Sequence, residues 1–363
     1  MCHDISYLEV RTTQSKFRIV EAERVVSCYK NQTIVPGQDI GANVEVLPGA
    51  VYKQWDMELE QGEGYHVVKF VSLMNSKCTD GDLIHKAIEG TKKNVCPVLM
   101  MDESAKEWEK VWNKCDVQIG GDRLAQKLIR LHSFHLIVTW SHHSKDIDFG
   151  VPARGLHGEA YRGHIFWDEL YILPYYIYYF PDSAKATLMY RYRRMEEAKK
   201  LAKGYGFEGA MFPWQSGSTG VEETQVVHLN PLDGSWGDDY SCLQRHVNLA
   251  ILYNIWQYYE ISGDKQFMAD YGAELFFEIC RFWASKCELG EDGRYHIHKV
   301  MGPDEYHECP PGTHGVGGLS DNAYTNLMVC WCLEKAFEIK NSVLTAEEYA
   351  DCMRKVILKP EEL

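Results

Sequence analysis

Hydrophobic and polar positions alternate in short runs over residues 5–76, as in Phe17-Arg18-Ile19-Val20 and His66-Val67-Val68-Lys69-Phe70-Val71. Turn-forming stretches, Val35-Pro36-Gly37-Gln38 and Leu47-Pro48-Gly49, separate them, and the period of two predicts β-strands. These strands are too short and too polar to close a substantial sandwich alone. From about Asp82 to Cys115 the pattern turns helical and charged, with Trp108 and Trp112 one turn apart on one face. Beyond Asp122 the spacing predicts successive helices. Residues 122–139 carry Leu124, Leu128, Leu131 and Leu136 at helical spacing, and 183–203 run from an Asp-Ser cap to Gly204. Residues 241–261 carry Val247, Ile251, Ile255 and Tyr259 and stop at Ser262-Gly263-Asp264; 265–287 and 320–340 follow. Long helices joined by loops rich in Trp, Asp, Glu, His and Gly fit a helical barrel with its site at one rim.

Composition narrows the function. At 363 residues, 45% hydrophobic and 25% charged, the chain can bury one large core or two modest ones. Its aromatics, 22 Tyr, 13 Phe and 10 Trp, suit sugar faces and ordinary cores alike. The formal charge of −14 opposes nucleic acid and anionic membranes and tolerates a neutral substrate. The N-terminus lacks a basic segment followed by an apolar run, and no stretch approaches the ~18–20 apolar residues of a membrane span. The twelve cysteines are scattered without a CxxC pair, which fits reduced thiols in the cytoplasm.

The chemistry concentrates in four loop segments. Residues 301–307, Met-Gly-Pro-Asp-Glu-Tyr-His, present paired carboxylates in a turn beside an aromatic and an imidazole. Two adjacent acids repel, and an apolar wall raises the cost of ionising both, so one can stay protonated as a general acid. Taken alone, the turn reads more readily as a solvated acidic turn capping a helix than as a catalytic one. Residues 153–170 are glycine-rich and put Trp167, a stacking face, beside Asp168, a strong acceptor. Residues 209–225 pair Trp214 with the amide of Gln215 in a long inter-helix loop. His246, opening a periodic helix, reads as a satisfied core histidine, and no His/Asp/Glu set has metal-ligand spacing. In Ser320-Asp321-Asn322-Ala323-Tyr324-Thr325-Asn326 either Asp321 or Ser320 reads as an N-cap.

Together, RGLHGEAYRGHIFWDEL, GAMFPWQSGSTGVEETQ, LQRHVN, VMGPDEYHE and DNAYTN resemble glycoside hydrolase family 65, in family order from about residue 5 to the end. That family holds kojibiose, maltose and trehalose phosphorylases together with trehalases and other α-glucoside hydrolases. The resemblance implies a mainly α chain: a partial β-sandwich over residues 1–78, a helical linker over 79–118 and an incomplete (α/α)6 catalytic barrel over 119–363. It implies inversion, with Glu305 protonating the glycosidic oxygen. Trp167 and Asp168 match positions that grip the −1 glucose, Trp214 and Gln215 match the loop between the −1 and +1 subsites, and Arg154 assists. Neither cofactor nor metal is implied.

Two departures from the family bear on mechanism. The sandwich is several times smaller than the family's, and the second catalytic glutamate or the phosphate-binding loop would fall beyond Leu363, so the sequence reads as N- and C-terminally incomplete. A hydrolase needs a base to activate water, whereas a phosphorylase needs only the acid. The leading expectation is an inverting hydrolase acting on a gluco-disaccharide such as kojibiose or trehalose, because PWQSGS-x-G-x-EETQ resembles family hydrolases. The alternatives are a disaccharide phosphorylase releasing β-glucose 1-phosphate and a catalytically inactive sugar-binding remnant. Unclosed barrel edges would favour association, so a homo-oligomer is among the expectations.

Overall fold

The computed structural model describes residues 5–28, 43–56, 58, 61–62, 66–79, 81–93, 96–155, 158, 160–304, 307–313 and 316–356. The turn at Val35–Gln38 lies outside them. The chain divides into two compact units, Met1–Asp116 and Val117–Leu363.

In the first unit, strands β1 (Ile5–Arg11), β2 (Arg18–Cys28) and β5 (His66–Asn75) form an antiparallel sheet in the order β1-β2-β5. Strands β3 (Asn43–Leu47) and β4 (Ala50–Gln54) make a separate hairpin closed by Pro48-Gly49, with Leu47 opposite Ala50. The helical stretch after Asp82 is two helices, α1 (Leu83–Lys93) and α2 (Pro97–Cys115), the second opening on a proline at its first turn. Leu83 and Ala87 of α1 close over Val20 and Ala22 of β2 in a small core. On α2, Trp108 and Trp112 stack, their rings 6.0 Å apart.

The second unit is helical with small sheets. Helix α3 (Arg123–Thr139) begins at Asp122, whose carboxylate accepts from the Leu124 and Ala125 N–H groups. Most of its leucine stripe faces away from the core: Leu124, Leu128 and Leu131 are exposed, whereas Leu136 packs against the core and Ser133 and Ile137 are buried. The helix expected over 183–203 is two helices, α5 (Pro181–Tyr192) and α6 (Met195–Gly204), following α4 (Glu169–Tyr179). Proline at the first turn starts α5 rather than the Asp-Ser pair. The break lies where Arg194 leaves helical geometry (φ −109°, ψ 10°) and its guanidinium bonds Asp148 and the Ser218 carbonyl. Helix α7 (Val247–Ser262) starts six residues later than the periodicity suggested; it is buried almost all round, as a central helix must be.

The expected helix 265–287 consists of α8 (Lys265–Phe267), a wide-turned segment Met268–Gly272, and α9 (Ala273–Lys286). Likewise α10 (Ala323–Glu338) passes through Ile339–Val343 before α11 (Ala346–Val356). The cap of α10 is Asn322, whose Oδ1 accepts from the Thr325 N–H, not Asp321 or Ser320. Asp321 sits at φ +53° and is held by the neighbouring hairpin: its Oδ1 accepts from Ile297 N–H and its Oδ2 meets His296 Nδ1 at 2.7 Å. Short hairpins β6 (Val227–Leu229) with β7 (Trp236–Asp238), and β8 (Cys287–Leu289) with β9 (Tyr295–Ile297), fold the connecting loops.

Candidate functional site

The residues before α4 and α7, the start of α10 and the loop after α6 meet at one rim of the second unit, where Trp167, His246, Tyr324 and Trp214 pack together. Backbone pairing explains why. Ile165, before α4, exchanges two hydrogen bonds with Ser216, after α6 (2.9 and 3.1 Å). Asn248, fully buried on α7, accepts from Phe212 N–H at 2.7 Å and donates to the Phe212 and Arg245 carbonyls. Met301 N–H donates to Leu243 O at 2.9 Å, tying the acidic turn to the approach of α7. At Gly209 a side chain is excluded, because a Cβ would lie 2.2 Å from the Glu278 carbonyl.

Beneath the first loop lies a buried ion pair. Glu169 is buried, and its Oε2 accepts from Nε and Nη2 of Arg191 at 2.9 and 2.7 Å, while Val151 N–H donates to Oε1. Arg191 also donates to the Phe166 carbonyl. Nothing in the sequence spacing marks this pair, which joins residues in different helices.

Above it the aromatics converge. Trp167 meets His246 edge-on with centroids 4.6 Å apart, and Trp214 lies 5.1 Å from His246 and 6.3 Å from Trp167. Tyr324 of α10 closes the cluster 6.4 Å from His246. Trp214 is buried, Trp167 and Asp168 are half-buried. Burial pushes the Asp168 carboxyl up; its own backbone N–H and the Arg154 guanidinium oppose this. Arg154 is exposed and stands over the Tyr161 ring. Gln215 is half-buried with its backbone fixed on both sides: its N–H donates to Thr224 Oγ1 and its carbonyl accepts from Glu223 N–H. The structure therefore brings Trp167, Trp214 and His246 together, with Asp168 and Gln215 next to them in sequence.

Glu305 and Tyr306 lie outside the described residues. The turn around them is closed by Gly302 N–H to His307 O (3.2 Å) and His307 N–H to Asp304 O (3.4 Å). A Cβ at Gly302 would fall 2.0 Å from His307 Nδ1, so a larger residue there would have to displace the exposed His307 ring.

His246 corrects one expectation. It is buried, with 1% of its surface exposed, but it is poorly satisfied: among the described residues neither ring nitrogen has a well-formed hydrogen bond. Burial pushes its pKa from 6.5 to about 4, with the Met301 backbone opposing. The folded imidazole thus stays neutral where the unfolded one protonates. Its contribution to stability is complete above pH 6.5 and is lost as pH falls from 6.5 towards about 4. The ceiling is about 3 kcal/mol. Urea unfolding from pH 7 to 4 should show this acid loss in the wild type and a flatter profile in His246→Gln; parallel profiles would refute the assignment.

The glycosyl hydrolase family 65 central catalytic domain profile matches residues 130–362, which include every segment at the rim. The chain belongs to glycosyl hydrolase family 65. Among curated family 65 relatives, a trehalose 6-phosphate phosphorylase from Lactococcus lactis is 46% identical over 322 residues, covering 86% of this chain and 40% of that protein. A kojibiose phosphorylase from Halothermothrix orenii is 34% identical over 386 residues, covering 99% of this chain and 46% of that protein. A solved human-microbiome protein assigned as a kojibiose phosphorylase shares the fold, with a TM-score of 0.74 at 24% identity over 99% of this chain and 44% of that one. The chain thus spans less than half the length of these relatives. Among the described residues no helix is long and apolar enough to cross a membrane, and no cluster of His, Cys, Asp and Glu could hold a metal ion.

Proposed function

We propose that this family 65 chain carries the glucose-gripping residues and the general acid of an inverting cleavage of an α-glucosidic bond in a gluco-disaccharide. The observation that carries the reading is the convergence of Trp167, Trp214, His246 and Tyr324 on the rim where Met301 anchors the acidic turn. In this reading residues 119–363 belong to an (α/α)6 catalytic barrel, with 79–118 as its helical linker and 1–78 as part of a β-sandwich. Trp167 offers its face to the sugar ring, Asp168 accepts from glucose hydroxyls with Arg154 beside it, and Trp214 with Gln215 borders the bond to be broken. Asp168 and Gln215 suit this because neither side chain is hydrogen-bonded to another described residue.

Glu305 would protonate the glycosidic oxygen as that bond breaks, releasing the second sugar with a new hydroxyl. A nucleophile enters C1 from the opposite face. We assign that nucleophile as phosphate, giving β-glucose 1-phosphate, because both curated relatives described above are named as phosphorylases. A second reading, hydrolysis by water, is favoured by the PWQSGS-x-G-x-EETQ loop at 213–225.

Proton NMR with kojibiose, trehalose, nigerose and maltose, each with and without phosphate, tests both. β-Glucose 1-phosphate formed only with phosphate is the expected result. Free β-glucose without phosphate would make the chain a hydrolase. A folded chain that releases no product from any of them would refute the catalytic reading.

A further inference from the structure

Three successive residues at the rim, Tyr161, Arg162 and Gly163, sit in the left-handed backbone region, at φ +59°, +54° and +71°. A side chain there carries a steric cost, and two such residues in a row persist only where their surroundings hold them. The next residue, His164, does the holding. Its backbone N–H donates to the Tyr161 carbonyl at 2.9 Å, and its ring Nδ1 meets the same oxygen at 2.7 Å, so the turn is closed twice. Its Nε2 meets Glu223 Oε2 at 2.8 Å. The imidazole is only 13% exposed, so these bonds face little competition from water.

The place of the Glu223 contact gives it a consequence. Backbone bonds lay the two loops side by side: Ala153 N–H donates to His164 O, Ile165 exchanges bonds with Ser216, and Glu223 N–H donates to Gln215 O. The His164 side chain therefore joins its own segment to the one beyond 215–216, adding a second point of attachment to the Ile165–Ser216 bridge. Aromatic packing carries the effect inwards. The Tyr161 ring meets Phe166 edge-on at 5.2 Å, and Phe166 meets Trp214 edge-on at 5.4 Å. A turn that relaxed to right-handed geometry would take Tyr161 off Phe166 and disturb the packing behind Trp214. Trp167 and Asp168 follow three and four residues after His164 and would shift with it.

We propose that His164, through Glu223, is a positioning residue. It locks the left-handed turn at 161–163 and holds the loop carrying Trp167 and Asp168 in register with the loop carrying Trp214 and Gln215. Its effect on sugar binding rests on the glucoside reading of the rim, whereas the lock itself does not.

Hydrogen exchange of the intact chain, read by mass spectrometry, should run at least ~10-fold faster over 160–170 and 213–225 in His164→Ala than in the wild type, with the remainder of the second unit unchanged. Glu223→Ala should behave in the same way, and Glu223→Gln, which keeps an oxygen for the ring, should lie closer to the wild type. Arg162→Gly removes the steric cost at φ +54°, so adding it to His164→Ala should restore part of the protection, which a contact without a strained turn to hold would not do. Titration with glucose should show His164→Ala binding roughly 10-fold more weakly. A wild-type chain that binds no glucose but shows these exchange differences would uphold the lock and strike only the glucoside reading. Unchanged exchange at both segments in His164→Ala, an increase spread evenly through the second unit, no recovery in the double variant, or undiminished glucose affinity in His164→Ala would overturn the proposal.

Discussion

Glu305→Gln should lower kcat on the preferred disaccharide by at least ~10²–10⁴-fold with little change in KM. The amide keeps the shape and hydrogen-bonding reach of the acid but has no proton to deliver. In the proposed reaction the leaving group is an ordinary sugar alkoxide, which departs poorly unless protonated, so the loss should fall on the chemical step. An α-glucosyl fluoride substrate separates this from a general disruption of the site. Fluoride leaves without protonation, so the variant should keep most of its rate with that substrate while remaining crippled with a disaccharide. The proposed acid belongs to a turn that begins beside Met301, whose N–H is pinned to Leu243 O, three residues before His246, which packs against the two tryptophans. Near-normal disaccharide turnover by Glu305→Gln would move the acid elsewhere, with Asp304 the adjacent carboxylate to test next.

The sequence disclosed the parts of this molecule that depend on local periodicity and on clustered loop chemistry. Helix α7 was legible as a helix from Val247, Ile251, Ile255 and Tyr259, and the fold then buries it on nearly every side. The loop segments 153–170, 209–225 and 301–307 were conspicuous because Trp, Asp, Gln and Gly fall together in them. What stayed hidden depends on partners far along the chain. The leucines of α3 define a stripe, but a stripe does not say which face meets the core, and Leu124 is 66% exposed. The break at Arg193–Arg194 follows from where Arg194 must aim its guanidinium, towards Asp148 and Ser218. The wide turns at 268–272 and 339–343 shift the helical period by one residue, which no apolar repeat announces. His246 was placed correctly in the core, yet its lack of well-formed hydrogen bonds could be seen only once Trp167 and Trp214 stood around it.

Glu169 shows the same limit most sharply, and its removal should give the largest loss of stability. In the sequence it is one more acid in Trp167-Asp168-Glu169. In the fold it is a buried carboxylate next to Trp167 and Asp168, held by two bonds from Arg191 and one from Val151 N–H. Burial pushes its carboxyl up, and Arg191 and the Val151 N–H oppose. Glu169→Gln leaves the buried guanidinium of Arg191 without its counter-charge, and breaking such a pair costs about 3–5 kcal/mol. For a unit of this size, that is a fall in Tm of roughly 10 °C, readable by scanning calorimetry.

Because Arg191 also donates to the Phe166 carbonyl, the same variant should loosen the turn that presents Trp167 and Asp168. The double variant Glu169→Leu/Arg191→Met removes both charges and keeps the volume, so it should recover much of the lost Tm while leaving sugar affinity weakened. A Glu169→Gln protein within about 1 kcal/mol of the wild type would mean that the pair is dispensable to the fold. The rigidity of the loop above it would then have to come from bonds such as the Ile165–Ser216 bridge and the His164–Glu223 pair.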